Sequence, residues 1–272
     1  MTQNDLRVTL VQLDTAWHDP EANRARIGAM LLKADPTDLI VLPETFTTGF
    51  SNEAVATAES MEGETVAWMR ALAAARRASV TGSVQIREGG AVYNRLLFAT
   101  PDGAVACYDK RHLFRMAKEE KWYAAGSARL VMPFRGWRIC PLVCYDLRFP
   151  VFSRNRADAM RGGELEYDVL LYVANWPAAR HEAWRTLLRA RAMENLCYAV
   201  GVNRVGTDGN GHRYDGGSLV ADPVGTLSAD GDETEKVLQV TLSYDWLREY
   251  RRRFPAHLDA DTFQLAGPEL PV

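Results

Sequence analysis

The chain has 272 residues, 47% of them apolar and 25% charged, and a formal net charge of −3. That balance suits one soluble globular domain, gives no basic surface for nucleic acid or anionic lipid, and holds no apolar stretch near the ~18 residues of a membrane span. No basic-then-apolar leader opens the sequence, and Cys107, Cys140, Cys144 and Cys197 form neither a CxxC pair nor a zinc cluster, so the expectation is a cytoplasmic protein with reduced thiols, no metal and no cofactor.

Leu6 to Asp14 alternates around Val8, Leu10 and Gln12 and reads as a first strand. Residues 20–34 follow as a helix, with Pro20 in its first turn and Ala22, Ile27, Met30 and Leu31 on one face. The apolar run Leu39–Leu42 ends at Pro43-Glu44. Residues 47–63 read as a loop and Glu64–Ala78 as a second amphipathic helix. Ser79–Arg87, Ala91–Thr100 and Ala104–Tyr108 are three strands of a meander, with Pro101-Asp102-Gly103 as the second turn. Asp109–Gly126 is long, charged and aromatic without a helical period, a type of stretch that often carries function.

Ile139–Val143 reads as a buried strand that stops at Cys144-Tyr145-Asp146, and Phe149–Gly162 as a helix. Tyr167–Ala174 is another buried strand, ending at Asn175-Trp176-Pro177. A helix over Arg180–Asn195 leads to a strand over Cys197–Val202 that ends at Asn203-Arg204. Residues 206–217 are a glycine-rich loop or hairpin tip. Ser218–Ala221 and Lys236–Leu242 are late strands, and Asp245–Arg253 is a terminal helix. Strands alternate with helices on both sides of a hairpin region, and they are too many for one doubly wound sheet. Two sheets packed face to face, each covered outside by helices, accommodate them. Residues 1–255 are expected to form one domain, with 256–272 as a tail that docks on a partner subunit.

Three apolar runs end in reactive residue types: Leu39–Leu42 at Glu44, Ala104–Tyr108 at Lys110 and Ile139–Val143 at Cys144. Taken singly, each has an ordinary reading. Cys144 is a small buried hydrophobe, Glu44 a solvated turn residue and Lys110 part of a charged surface run. Taken together they describe chemistry, because strand ends in α/β folds gather at ligand sites. A thiol with a pKa near 8.5 needs a base, which Glu44 supplies. Lys110 stabilises a tetrahedral oxyanion. The sum is acyl transfer to sulfur followed by hydrolysis.

The residues that carry these groups resemble the nitrilase (carbon–nitrogen hydrolase) superfamily. The matching motifs are Leu42-Pro43-Glu44-Thr45-Phe46, Tyr108-Asp109-Lys110-Arg111-His112-Leu113-Phe114 and Val143-Cys144-Tyr145-Asp146-Leu147-Arg148-Phe149-Pro150. The resemblance implies a four-layer α-β-β-α sandwich, paired through its helical layers into a homodimer. It also implies Cys144 as nucleophile, Glu44 as general base, Lys110 as oxyanion stabiliser and the Tyr145 N–H as second oxyanion donor. A second site glutamate is expected at Glu119 rather than Glu120, on its spacing to Gly126, to hold Lys110 and position the amide. Within the superfamily the sequence resembles the omega-amidases, also in Ala174-Asn175-Trp176-Pro177. That implies hydrolysis of the terminal amide of alpha-ketoglutaramate and alpha-ketosuccinamate. Phe46, Phe114, Tyr123, Arg148 and Trp176 are candidates to bind such a substrate, with Arg204 as a weaker one. Arg148 has a structural alternative, pairing with an acid to hold the Cys144 turn. The competing activities are those of an N-carbamoyl-amine hydrolase, an amidase for deaminated glutathione or, further off, a nitrilase. An idle interaction protein would be expected to lose one of the three groups, and a redox protein would need a resolving cysteine.

Overall fold

Residues 5–158 and 162–264 are described by a computed structural model. Two six-stranded mixed sheets dominate them. In chain order the first holds β1 (Leu6–Gln12), β2 (Leu39–Val41), β3 (Ser79–Glu88), β4 (Ala91–Ala99) and β5 (Val105–Asp109), with α1 (Pro20–Leu31) and α2 (Glu64–Arg76) between its early strands. The second holds β6 (Met132–Phe134), β7 (Trp137–Val143), β10 (Val169–Ala174) and β11 (Tyr198–Asn203), later joined by β14 (Leu219–Ala221) and β15 (Leu227–Asp230). Between these lie α3 (Pro150–Ser153), a small hairpin of β8 (Ala157–Asp158) and β9 (Glu164–Leu165), α4 (His181–Glu194), and a second hairpin of β12 (Val205–Thr207) and β13 (Arg213–Asp215). β16 (Lys236–Leu242) returns to pair with β1, and α5 (Tyr244–Arg253) follows. The sheet orders are β16-β1-β2-β3-β4-β5 and β15-β14-β11-β10-β7-β6.

Alternation along the strands makes the layers. Leu39, Val41, Leu96 and Phe98 enter the core shared with the second sheet, while Ile40, Leu42, Leu97 and Ala99 enter a separate core with Ile27 and Leu31 of α1 and Val66, Met69 and Ala73 of α2. β7, β10 and β11 pair in parallel and are buried along their whole length, with Trp184, Leu188 and Ala192 of α4 in the same cluster. Parallel strands covered on both faces read as continuous apolar runs for this reason. The result is the expected α-β-β-α sandwich.

α4 packs so closely on β11 that Gly201 has no room for a side chain; a Cβ there would be driven into Leu188 and Trp184. Gly201→Ala is therefore expected to cost about 1–3 kcal/mol by overpacking. The urea midpoint checks this, and an unchanged midpoint would mean that α4 moves aside freely.

One expected element is overturned. The helix over Phe149–Gly162 shrinks to the four residues of α3. Asn155 ends it. Its amide exchanges two hydrogen bonds with the backbone of Tyr167 (2.9 and 3.1 Å) and donates a third to the Asn195 carbonyl (3.0 Å), while its own N–H donates to Asn195 Oδ1 (2.8 Å). Those bonds hold the chain extended into β8, where a helical pattern is read from composition alone. Residues 159–161 of that stretch lie outside the described residues. Of the tail, Ala256–Asp259 forms a 3₁₀ turn. Residues 265–272, and with them the end of the expected docking arm, lie outside the described residues. None of the described helices is long and apolar enough to cross a membrane.

Candidate active site

The ends of β2, β5, β7 and β10 meet over one cavity of about 650 Å³. Cys144 leaves β7 at its first step into a 3₁₀ turn, Cys144–Arg148, with φ at +43°. A non-glycine residue in the left-handed region costs of order 1–3 kcal/mol and needs support. Asp146 supplies it. The fully buried carboxylate accepts hydrogen bonds from the Val143 N–H (3.0 Å), the Tyr108 hydroxyl (2.7 Å) and the His112 N–H (3.0 Å), and it contacts His112 Nδ1 at 2.7 Å. The turn also places the Tyr145 N–H in a first turn, where N–H groups have no partner within the turn.

Lys110 follows β5 and is buried beside two carboxylates. Its Nζ lies 2.9 Å from Glu44 Oε1 and 3.0 Å from both oxygens of Glu119. Burial opposes the ammonium charge, but Glu119 and Glu44 outweigh it and hold Lys110 well above the usual lysine range. Glu119 is held by the Phe114 N–H at 2.6 Å. Burial raises its carboxyl; Lys110 opposes this and the charge of Glu44 adds to it. Asn94, in the middle of β4, donates to Glu44 Oε1 at 2.8 Å. The Asn175 N–H, at the end of β10, donates to Glu44 Oε2 at 2.8 Å, and its side chain donates to the Glu44 carbonyl at 2.7 Å. Burial, together with the negative charge of Glu44, pushes the Cys144 thiol well above its usual range, Lys110 opposing. The resting sulfur is therefore a thiol.

The structure thus brings Glu44, Lys110, Glu119 and Cys144 together. Glu120 is exposed on the other side of the same 3₁₀ turn. Phe114, Tyr145, Arg148 and Trp176 line the cavity. Phe46 does not. Thr45 takes φ +42°, and Phe46 turns away into the core under α2, 5.9 Å from Trp68. Tyr123 is also outside the lining: it is buried and its hydroxyl donates to the Ser51 carbonyl at 2.8 Å, so it supports a wall residue instead. Arg204 is fully buried against Asp14 (3.5 Å) and the Tyr214 ring, outside the lining as well. Arg148 makes no ion pair among the described residues; its guanidinium lies 5.0 Å over the Trp176 ring, and the acid that holds the Cys144 turn is Asp146.

Sequence reasoning missed Asn94, Asn175, Phe50 and Arg180. Asn175 carried a usable signal, since it too stands at the end of a buried apolar run. Asn94 carried none beyond being an amide inside a strand. Phe50 places its ring 5.3 Å from Lys110 Nζ.

Gly126 has a role that its spacing only hinted at. Its N–H donates to the Lys110 carbonyl at 3.0 Å, and a Cβ there would be driven into the Asp109 carbonyl oxygen. Gly126→Ala is expected to displace Lys110 and lower kcat by about 10²-fold, the usual penalty for a misplacement near 1 Å. Ammonia release checks it; full activity would show that the loop yields instead.

The carbon–nitrogen hydrolase family matches residues 7–252. The chain is 48% identical over 261 residues to the omega-amidase YafV of Escherichia coli (strain K12), an alignment covering 96% of this chain and 98% of that one. It is 29% identical over 256 residues to the 2-oxoglutaramate amidase of Bacillus subtilis (strain 168), covering 93% and 96%. Protein XC1258 of Xanthomonas campestris, a CN-hydrolase superfamily protein solved with an arsenic adduct in its active site, superposes with a TM-score of 0.95 at 57% identity, covering 97% and 100%. Fold, clustered strand ends and full-length similarity agree: the chain belongs to the carbon–nitrogen hydrolase family, the nitrilase superfamily.

Proposed function

We propose that this carbon–nitrogen hydrolase is an omega-amidase, releasing ammonia from the terminal amide of small alpha-keto acid amides through a thioester on Cys144. The observation that carries this reading is the thiol of Cys144 on a strained turn beside the buried Lys110–Glu44–Glu119 cluster, in a cavity also lined by Arg148, which makes no ion pair among the described residues. The names of its relatives, omega-amidase and 2-oxoglutaramate amidase, support the substrate class.

In this mechanism Sγ attacks the amide carbon as its proton passes to Glu44. The carbonyl oxygen becomes an oxyanion held by Lys110 and the Tyr145 N–H. The tetrahedral adduct collapses, the C–N bond breaks, and Glu44 returns the proton to the leaving ammonia. A water then gives a proton to Glu44 and attacks the thioester, and the C–S bond breaks to release the acid and restore the thiol. Glu119 holds Lys110. Arg148 takes the distal carboxylate, with Phe114 and Trp176 as apolar walls.

The test is ammonia release from alpha-ketoglutaramate, beside an N-carbamoyl-amine, an aliphatic amide and a nitrile, with Cys144→Ala as control. Turnover of the keto acid amide is expected to dominate; preference for another member would keep the thiol chemistry and discard the substrate. Arg148→Gln is expected to raise KM for alpha-ketoglutaramate about 10- to 100-fold with little change in kcat, since hydrogen bonds to charged groups contribute ~1.5–3 kcal/mol; a fall in kcat alone would return Arg148 to a structural role. The assembly belonging to this reading is a cytoplasmic homodimer, supported by the family resemblance and by Trp246, Phe254 and Leu258 left exposed on and after α5.

A further inference from the structure

Arg180 stands where a helix does not favour a cation. It is the N-cap residue of α4 and its side chain makes no capping hydrogen bond. Ser, Thr, Asp and Asn are preferred there, and the helix dipole disfavours positive charge. Its backbone is fixed: the carbonyl accepts from Trp176 Nε1 at 2.8 Å and the N–H donates to the Pro177 carbonyl at 2.9 Å. The guanidinium lies 5.4 Å over the Phe114 ring, which itself packs on Tyr145 at 5.0 Å. Arg148 lies similarly over Trp176, and both arginines line the cavity that holds Cys144.

Among the described residues neither guanidinium has a carboxylate partner. The two carboxylates of the cavity lining are engaged elsewhere. Glu44 is taken by Lys110, Asn94 and Asn175. Asp208 accepts from the N–H groups of Asn210 and His212 (both 2.9 Å) and from the Tyr214 hydroxyl (2.9 Å). Among the described residues the cavity therefore presents two cations on aromatic faces and no free carboxylate. That is more cation than one carboxylate oxygen pair needs, and it suits a coplanar row of acceptors such as a carboxylate with a neighbouring keto oxygen.

We infer that Arg180 is a specificity-determining residue that, with Arg148, grips the keto acid head and rejects the corresponding alpha-amino acid amide. An alpha-ammonium placed near two guanidinium groups meets like charge and finds no free carboxylate in the described lining to balance it. A keto oxygen at the same carbon gains two donors. This rests on the amidase reading above and names the residues that would give it substrate selectivity.

The experiment compares kcat/KM for alpha-ketoglutaramate, for glutamine and for 5-amino-5-oxopentanoate, which has a methylene in place of the keto carbon. Arg180→Gln is expected to lower kcat/KM for the keto acid amide about 10- to 100-fold, through KM, and to shrink its advantage over glutamine by a similar factor. Arg180→Lys, which keeps the charge and loses the planar fork, is expected to restore rejection of glutamine more fully than affinity for the keto acid. A uniform loss of kcat on all three amides with Arg180→Gln, or an unchanged keto-to-amino ratio, would overturn the inference and leave the amidase reading standing. If the wild-type protein prefers glutamine or the methylene compound, the substrate reading fails first and the inference falls with it.

Discussion

Cys144→Ala is expected to abolish amide hydrolysis and leave the fold intact. In the proposed mechanism the sulfur is the nucleophile that attacks the amide, so its loss removes the covalent intermediate rather than weakening a contact. Nucleophile deletions in comparable hydrolases lower kcat on the order of 10⁶-fold, and a fall of that size is expected here. The fold survives because Cys144 contributes little to it. Its Sγ lies 3.9 Å from the Asn175 carbonyl, a weak contact, and the turn is held by Asp146 from the far side. Alanine meets the same φ constraint as cysteine. The check is ammonia release alongside a thermal melt. Turnover within about 10²-fold of wild type, from protein freed of contaminating amidase, would mean that water attacks directly and that the thioester is not on the path.

Lys110→Met is expected to remove activity and stability together, for two separable reasons. Losing an oxyanion donor costs about 10²–10³ in kcat. Losing the cation also leaves Glu44 and Glu119 facing each other, both buried, and breaking a buried pair from one side costs about 3–5 kcal/mol. The second effect depends on pH. Burial and the charge of Glu44 already raise the Glu119 carboxyl, and Lys110 is the group that opposes them. Without Lys110 the folded-state pKa climbs further above the unfolded value of about 4.3. A carboxyl shifted upward holds more protons in the folded state. Its variant is then closest to wild type in acid and loses stability as pH rises from the unfolded value through the folded one. Urea midpoints taken from about pH 5 to 8 relative to wild type are expected to diverge toward alkaline pH. The double variant Lys110→Met/Glu119→Gln is expected to recover much of the stability and none of the activity. A stability loss that is flat across this range would show that the carboxylates are relieved by solvent or by movement.

Two parts of the site, Glu44 and Cys144, were legible in the sequence because buried parallel strands place them; Lys110 was legible from the end of the antiparallel edge strand β5. Leu39–Leu42 and Ile139–Val143 are unbroken apolar runs because helices or a second sheet cover both faces, and such a run marks its own end sharply. Glu44 and Cys144 stand at those ends. The edge strands of the second sheet were not legible. β6 is only half covered and contains Pro133, and β15 alternates over four residues with exposed partners. Neither gives a period long enough to separate from a loop. Side-chain direction after a turn was beyond reach too. Phe46 follows a left-handed Thr45, and nothing in Leu42–Phe46 announces that reversal. Asn94 and Arg180 were hidden for a related reason. Each looks like an ordinary polar residue of a strand or helix start until a distant segment arrives beside it, and Asn94 lies 50 residues from the carboxylate it serves.

The desolvated thiol has a consequence for survival as well as for catalysis. Peroxide and other oxidants react with thiolates, so a low-pKa cysteine is exposed to damage throughout its idle life. In the proposed mechanism the sulfur gives up its proton to Glu44 only as an amide carbonyl accepts the sulfur. The site is armed by its substrate. Such a site would trade a small part of its intrinsic reactivity for endurance, and peroxide is expected to inactivate it more slowly than it would a permanently charged nucleophile.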